Sequence, residues 1–283
     1  MVLRVWLDRM AERDVQDSVS LPCKEGSFAA LSELTGLSPT TLHSITLHQY
    51  TQVVVSHVQP IESVLLNTEF FTLLPKKHYS HHFRSDRAAA WCLQCITEGR
   101  LHQLIWQSRF TMICLRHDCF LEDRCPACGC KIPIFDVCKG RCRSCGTHLL
   151  EHKPLSRQVD DLTRSAQVHF QSWMEPTMLR PGTDTVLPGC SPRDAYHILF
   201  VLFSCVYHAS DRLSKHYSSS EMAGYRLSDN DREPEPSITE DYPRLIAVFR
   251  IMSDWPNFFL TFLDQTGVES IDVNTRLYAL GST

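Results

Sequence analysis

Cysteine is the residue type whose number and spacing most clearly indicate chemistry in this chain. The 283 residues include 13 cysteines, and ten of these lie from Cys92 to Cys145. Within that stretch the sequence contains three Cys-x2-Cys pairs and one Cys-x2-His pair. Each such pair places two metal-binding side chains on one tight turn, which is half of a tetrahedral metal site. The cysteine count is odd and nothing indicates an oxidising compartment, so the pattern favours metal binding over disulfides.

The order of the pairs predicts two metal sites that follow one another along the chain. The first is expected to use three cysteines and a histidine, and the second four cysteines: Cys92, Cys95, Cys114 and His117, then Cys125, Cys128, Cys142 and Cys145. A sulfur-rich tetrahedral site with a histidine favours zinc. Because four protein ligands leave no position open for water, we predict two structural Zn²⁺ ions and no catalytic one. A thioredoxin-like redox role is disfavoured, since no βαβ pattern surrounds the pairs.

The remaining cysteines are interpreted as packed thiols. Three of them lie inside the cysteine-rich stretch without a second partner at x2 spacing, namely Cys119, Cys130 and Cys138. The isolated Cys23, Cys190 and Cys205 are expected to be small buried apolar residues. His102 and His148 are expected to be solvated or capping side chains rather than metal ligands.

The cysteine-rich segment is basic within an acidic chain. The whole chain has 28 Lys+Arg, 32 Asp+Glu and a net charge of −4, which argues against coating nucleic acid through bulk charge. Residues 76–157 contain 14 basic and 7 acidic side chains. The predicted thiolates and zinc ions reduce that excess to about +4. Six basic residues are candidates for contacts with phosphate, the alternative being ordinary solvated charges: Arg100, Arg109, Arg116, Lys139, Arg141 and Arg143.

A helix-turn-helix pattern precedes this segment. Ser27 is predicted to cap a helix over 28–34, and Gly36 to adopt the left-handed conformation of the turn. Ser38 then caps a second helix with Pro39 at its first position. The outward side chains of that helix are Thr40, Thr41, His43 and Ser44. They lack the Arg or Lys that makes bidentate contacts with guanine, so the pattern is compatible with docking to protein or RNA as well as to DNA.

The apolar spacing elsewhere predicts a mainly α-helical fold with a small irregular zinc-finger insert. We divide the chain into an N-terminal helical region with the helix-turn-helix (1–87), a tandem zinc-finger region (88–152) and a C-terminal helical region (153–283). The stretch up to about residue 75 is predicted as short helices. The polar, acidic segment 218–241 is predicted to be a linker.

Hydropathy excludes some classes of protein. No 18-residue apolar stretch is present, and residues 1–15 lack the apolar centre of a signal peptide. From the sequence we expect a cytoplasmic protein without membrane contact.

Several of these motifs together resemble the TniQ family, the target-selection proteins of bacterial transposons. The residues that carry the resemblance are Trp6-Leu7-Asp8-Arg9-Met10-Ala11, the segment 31–38 with Leu42 and Thr46-Leu47, Trp91-Cys92-Leu93-Gln94-Cys95, Trp106 with Arg109, Cys114-x2-His117, Leu121 to Gly129, and Asp254-Trp255-Pro256 with Phe259. The family commonly has proline where this chain has Leu93. The three additional cysteines in the finger stretch are a second departure.

The resemblance implies a bacterial adaptor without enzymatic activity. Such an adaptor links a target selector and the target DNA to the AAA+ ATPase TnsC, which recruits the transposase. The selector expected here is a CRISPR effector complex with its guide RNA. An alternative within the family is a TnsD-type reader of a DNA sequence. Outside it, a helix-turn-helix regulator and a cross-braced RING ubiquitin ligase are further alternatives. The seven residues between His117 and Cys125 are more than a RING usually has there, so two consecutive fingers are favoured.

Overall fold

The computed structural model describes residues 31–33, 35–55, 62–66, 69–73, 82–84, 88–100, 102–152, 159–174, 187, 190–213 and 237–266. Over these residues the protein is mainly helical, with two antiparallel two-stranded sheets. This agrees with the predicted fold class. The opening helix predicted around Trp6 and the start of the helix capped by Ser27 lie outside the described residues.

The N-terminal described residues contain the predicted turn and the helix after it. Gly36 has φ +68°, and helix α1 (Pro39–Ser44) begins after Ser38, whose side chain accepts a hydrogen bond from the Thr41 amide. A 3₁₀ turn (Leu47–Tyr50) and the short helix α2 (Thr51–Val54) follow directly. Ile45, the residue directly after α1, is 54% exposed although its position three residues after the buried Leu42 is typical of one apolar helix face. The helical axis ends at Ser44, so the periodicity no longer applies at residue 45.

A β-hairpin replaces the helices predicted before residue 75. Strand β1 (Glu62–Leu66) pairs antiparallel with β2 (Glu69–Leu73), from Glu62 opposite Leu73 to Leu66 opposite Glu69. The segment contains Val64 and adjacent phenylalanines at 70 and 71, residue types that favour strands. The prediction of short helices throughout this region was therefore wrong.

The cysteine-rich region consists of short elements joined by turns. Its elements are α3 (Leu93–Thr97), a 3₁₀ turn (Leu104–Gln107), β3 (Ile113–Cys114), β4 (Cys119–Phe120), α4 (Ile134–Lys139) and a 3₁₀ turn (Leu149–Glu151). Strands β3 and β4 pair antiparallel, with Cys114 opposite Cys119.

The described residues of the C-terminal part include four longer helices: α5 (Asp161–Met174), α6 (Pro192–Leu213), α7 (Ile238–Ser253) and α8 (Asn257–Thr266). Helix α6 packs against α2, α5 and α7. The predicted linker 218–241 extends too far, because α7 already begins at Ile238 with a capping box between Ser237 and Glu240. Reciprocal capping stabilises a helix start within a polar sequence.

One hydrophobic core connects these parts. Phe110, from the cysteine-rich region, packs edge-to-face on Phe170 of α5 and on Tyr196 and Phe203 of α6, with ring centroids 5.3–5.9 Å apart. Edge-to-face pairs of this kind contribute about 0.5–1.5 kcal/mol each beyond their burial.

The division of the chain into three regions, with boundaries at residues 87 and 152, stays a prediction. Among the helices in the described part of the chain, none combines the length and apolar character needed to cross a bilayer.

Candidate metal centre

The first cluster consists of Cys92, Cys95, Cys114 and His117, whose ligand atoms all lie within 4.8 Å of one another. The sulfurs of Cys95 and Cys114 are 3.7 Å apart. His117 Nδ1 lies 3.3 Å from the sulfurs of Cys92 and Cys95 and 3.7 Å from that of Cys114. Zinc bonds of about 2.3 Å to sulfur and 2.05 Å to nitrogen give tetrahedral edges of about 3.8 and 3.6 Å. The distances therefore fit one tetrahedral ion.

Two local structures position the first cluster. Cys92 is the N-cap of α3, where its sulfur accepts a hydrogen bond from the Cys95 amide. Cys114 and His117 lie on the turn between β3 and β4. That turn closes through a hydrogen bond from the Asp118 amide to the Cys114 carbonyl, with Asp118 at φ +51°. A helix start and a hairpin turn thus face each other across the cluster.

Glu98 is a functional candidate that the sequence reasoning did not identify. His117 directs Nδ1 at the sulfurs, and its Nε2 donates to Glu98 Oε1 at 2.9 Å. This hydrogen bond lowers the pKa of the Glu98 carboxyl. A carboxylate behind a histidine ligand holds the ring in one tautomer and orientation. The only signal in the sequence is an acidic residue one helical turn after Cys95, which many helices contain.

The second cluster consists of Cys125, Cys128, Cys142 and Cys145. The sulfurs of Cys125 and Cys145 are 3.6 Å apart, and those of Cys128 and Cys142 are 3.8 Å apart. These distances match the edge of a tetrahedral zinc–sulfur site, which is about 3.8 Å. Gly129 and Gly146 follow the two Cys-x2-Cys turns with φ +70° and +76°. That left-handed conformation lets the chain fold back beside the sulfurs and is costly for other residues.

The electrostatics of the first cluster fit a cation. Contact with the Cys92 thiol and burial together raise the pKa of the Cys114 thiol far above its usual range. Thiolates can therefore stand side by side here only if a positive ion compensates their charge.

The two clusters combine ligand pairs that follow each other directly along the chain. A RING would join Cys92 and Cys95 with Cys125 and Cys128, so the cross-braced alternative was wrong.

Comparison with known proteins identifies a family that matches the part of the chain containing the first cluster. A family model described as TniQ matches residues 3–121. This part of the chain is a TniQ domain. The resemblance to the TniQ family is thereby confirmed for these residues, and the match supports a protein associated with transposition. The match includes the first cluster and ends before the second. Among curated proteins and among solved structures, none matches the chain.

The additional cysteines differ in their surroundings. Cys119 lies 3.7 Å from the Cys92 sulfur, and Cys130 lies 3.2 Å from the Cys128 sulfur, so both pack against a cluster. Cys138 is exposed, and the prediction that it is packed was wrong. Cys205 is buried as expected, Cys190 is only partly buried, and Cys23 lies outside the described residues.

His102 and His148 differ in how far they are buried. His102 is partly buried, with Nε2 2.8 Å from the Ala90 carbonyl oxygen and its ring edge-on to Trp106. His148 is exposed and precedes the last 3₁₀ turn. The expectation of a solvated or capping side chain thus does not hold for His102.

Most of the six basic candidates near the clusters already have partners in the protein. Arg100 and Arg116 both pair with Glu98, at 3.1 and 3.5 Å, and Arg143 Nη2 lies 3.1 Å from Asp136 Oδ1. The two pairs with Glu98 are on the surface and cost little to break, whereas Asp136 is buried, so breaking the Arg143 pair would leave a buried carboxylate without its partner. Lys139 lies over the Phe135 ring at 4.0 Å, and exposed Arg141 donates to the Gly146 carbonyl at 3.0 Å.

Arg109 is different, because it belongs to a buried ion network. Its Nη2 lies 3.4 Å from Asp241 Oδ2 in α7, and the other oxygen of Asp241 accepts from Arg244 at 3.1 Å. The side chain of Arg109 is only 17% exposed. It therefore joins the TniQ domain to α7, and its interpretation as a phosphate contact loses its basis.

Two further contacts join the cysteine-rich region to α7 beside this ion network. Asp123 Oδ2 accepts from the Ile238 amide at the start of α7, at 2.8 Å. The ring of Phe120 packs edge-on to Tyr242, with centroids 5.1 Å apart. The first cluster is therefore held against the C-terminal helices by an ion network, a capping bond and an aromatic pair.

The four candidates on α1 are placed mostly outward. Thr40, Thr41 and Ser44 are exposed, whereas His43 is partly buried and stacks on His48 with ring centroids 6.1 Å apart. Helix α1 has only six residues. It thus presents three short hydroxyl side chains to solvent.

Proposed function

We propose that this TniQ-domain protein is an adaptor in DNA transposition in bacterial cells. It connects a target selector to a TnsC-like AAA+ ATPase, and through that ATPase to the transposase. The observation that carries the proposal is the TniQ match over residues 3–121. The selector we propose is a CRISPR effector complex with its guide RNA, bound at target DNA.

In this proposal each cluster binds one Zn²⁺, and both ions are structural. The donor sets, three sulfurs with a nitrogen and then four sulfurs, are those that zinc prefers. Four protein ligands leave no coordination position for a substrate or for water, which supports an adaptor without bond-making chemistry. The residues hold the ions, and the ions supply folding free energy.

The contacts between the cysteine-rich region and α7 support the adaptor role. An adaptor transmits the position of one partner to another only if its binding surfaces keep a fixed relative arrangement. The Arg109–Asp241–Arg244 network and the Asp123–Ile238 bond fix the first cluster relative to the helices. Because these groups are buried, their arrangement resists salt and thermal motion better than surface pairs do.

We assign partner or nucleic-acid contact to the exposed residues among the candidates. These are Thr40, Thr41 and Ser44 of α1, and Lys139 and Arg141 beside the second cluster. Arg100 and Arg116 can exchange their surface pairs with Glu98 for phosphate at small cost, whereas Arg143 would have to leave the buried carboxylate of Asp136. His43 and Arg109 are left out because both are engaged inside the protein.

The proposal is tested by purifying the full chain together with the TnsC-like ATPase and the effector complex encoded beside it. We expect a stable ternary complex, with RNA-guided integration that depends on the chain. If neither partner is retained, the adaptor proposal fails. Tight, sequence-selective duplex binding by the chain alone, weakening steeply with salt, would instead indicate a TnsD-type reader.

A pair of arginine variants refines this test. If Arg141 contacts phosphate, R141A should reduce the slope of log affinity for nucleic acid against log salt concentration by about one. R250A is the matched control, because Arg250 is also exposed but lies near the end of α7. Equal behaviour of the two variants would remove Arg141 from the interface.

A further inference from the structure

The second cluster contains a fifth thiol. The sulfur of Cys130 lies 3.2 Å from that of Cys128 and 3.5 Å from that of Cys142. Sulfurs that share one tetrahedral zinc are about 3.8 Å apart. By distance, Cys130 therefore lies as close to two of the four sulfurs as those sulfurs lie to each other.

The two Cys-x2-Cys turns of this cluster have matching backbones, which makes the role of position 130 recognisable. In the first turn, the Cys125 amide donates to the Cys130 carbonyl and the Gly129 amide to the Cys125 carbonyl, both at 2.8 Å. In the second, the Cys142 amide donates to the Thr147 carbonyl and the Gly146 amide to the Cys142 carbonyl, both at 2.9 Å.

Thr147 therefore occupies the position in the second turn that Cys130 occupies in the first. Its hydroxyl oxygen lies 3.2 Å from the Cys145 sulfur, the same distance that separates the sulfurs of Cys130 and Cys128. A hydroxyl at that place can accept a hydrogen bond from the Cys145 thiol or donate one to its thiolate, but it keeps its proton at neutral pH. A thiol can also lose its proton and become a ligand itself.

We infer that Cys130 is a reserve ligand, which takes the place of Cys128 when that sulfur is lost from the second cluster. Cys128 is exposed to solvent, whereas Cys130 is partly buried. In the exchange, the zinc bond to Cys128 breaks and that thiolate takes up a proton. Cys130 releases its proton to solvent and its thiolate bonds the ion, so no electrons are transferred. The inference rests on the proposal that this cluster binds zinc.

The test compares two ligands at matching positions of the same cluster, using C128S and C145S in the full chain. Cobalt and zinc contents are measured, together with the sulfur-to-cobalt charge-transfer absorbance. We expect C128S to retain two ions per chain and the absorbance of four thiolates at the second cluster. C145S, whose neighbour is Thr147, should retain one ion. The double variant C128S/C130S should also retain one.

A gain-of-ligand variant gives an independent measurement. Adding T147C to C145S should restore the second ion, because it recreates in the second turn the arrangement of the first. C138S is the control for removing a cysteine from this region, since Cys138 is exposed, and it should bind two ions.

The outcomes separate this inference from the proposal beneath it. If the unmodified chain binds two ions and C128S binds one, the reserve-ligand inference is overturned while the zinc proposal stands. If C128S keeps two ions but loses about a quarter of the charge-transfer absorbance of the second cluster, oxygen has replaced the sulfur and the inference is again overturned. An unmodified chain that binds no metal would overturn both.

Discussion

The two clusters have similar donor sets but very different surroundings. All three cysteines of the first cluster are buried, and its histidine is partly buried. In the second cluster, Cys125 and Cys142 are buried while Cys128 and Cys145 are exposed. Similar sets of ligands therefore lie in the core of the TniQ domain in the first cluster and partly at the protein surface in the second.

The difference follows from what lies behind each cluster. The hairpin of the first cluster donates two backbone hydrogen bonds to Gln167 in α5, from the Met112 and Ile113 amides at 2.8 and 3.4 Å. The second cluster contributes Ile132, Val137 and Leu149 to the core, but its two turns face solvent. Loss of the first ion should consequently disturb the whole protein, and loss of the second mainly its own turns.

Removing a ligand of the first cluster should have the largest effect. In C114S the ion is lost, and with it the main source of order in a segment that is part of the central core. Structural zinc contributes on the order of 10 kcal/mol to folding at neutral pH, which is as much as most domains have in total. We expect loss of cooperative thermal unfolding by circular dichroism, whereas C138S unfolds like the unmodified chain. A cooperative transition at the original temperature in C114S would show that the first cluster is not needed for the fold.

Breaking the link between the first cluster and α7 should have the next largest effect. In D241N, Arg109 and Arg244 lose the charge between them, and removing one partner of a buried ion pair costs about 3–5 kcal/mol. We expect a destabilisation of about 3 kcal/mol in denaturant unfolding, with both ions retained. The control D264N changes an exposed aspartate of α8 and should stay within about 0.5 kcal/mol. Equal stability of the two variants would mean that the network does not join the parts.

These two effects show where sequence reasoning succeeds and where it stops. The metal-binding pairs, the capped start of α1 and the turn at Gly36 are local patterns whose chemistry requires particular residues at short spacing. The partners of Arg109 and the role of Glu98 depend on contacts with residues 132 and 19 positions away. No periodicity encodes such contacts. The β1–β2 hairpin was missed because a run of apolar residues alone does not separate strand from helix.

A ligand of the second cluster should matter less for the fold. C145S removes an exposed sulfur with no thiol in the neighbouring position, so the ion is lost but the helices and the first cluster keep their contacts. We expect one ion per chain and a cooperative transition that lies within a few degrees of the original, a shift of about 1 kcal/mol. If C145S unfolds as completely as C114S, the two clusters are equivalent for folding and the contrast between them is wrong.

The smallest expected effect tests the surroundings of the first cluster rather than its ligands. In E98Q the amide oxygen still accepts the Nε2 hydrogen of His117, but the negative charge that makes the ring a better electron donor to a bound metal ion is gone. Outer-shell changes of this kind weaken metal binding about 10- to 100-fold, and we expect the lower value because the hydrogen bond survives. Competition with a chelator measures this on the full chain, where the second cluster is an internal reference and E151Q is a control at an exposed glutamate. Because E98A removes the hydrogen bond as well, it should weaken binding further. If both variants bind the first ion as tightly as the unmodified chain, then burial and the four ligands alone account for its retention.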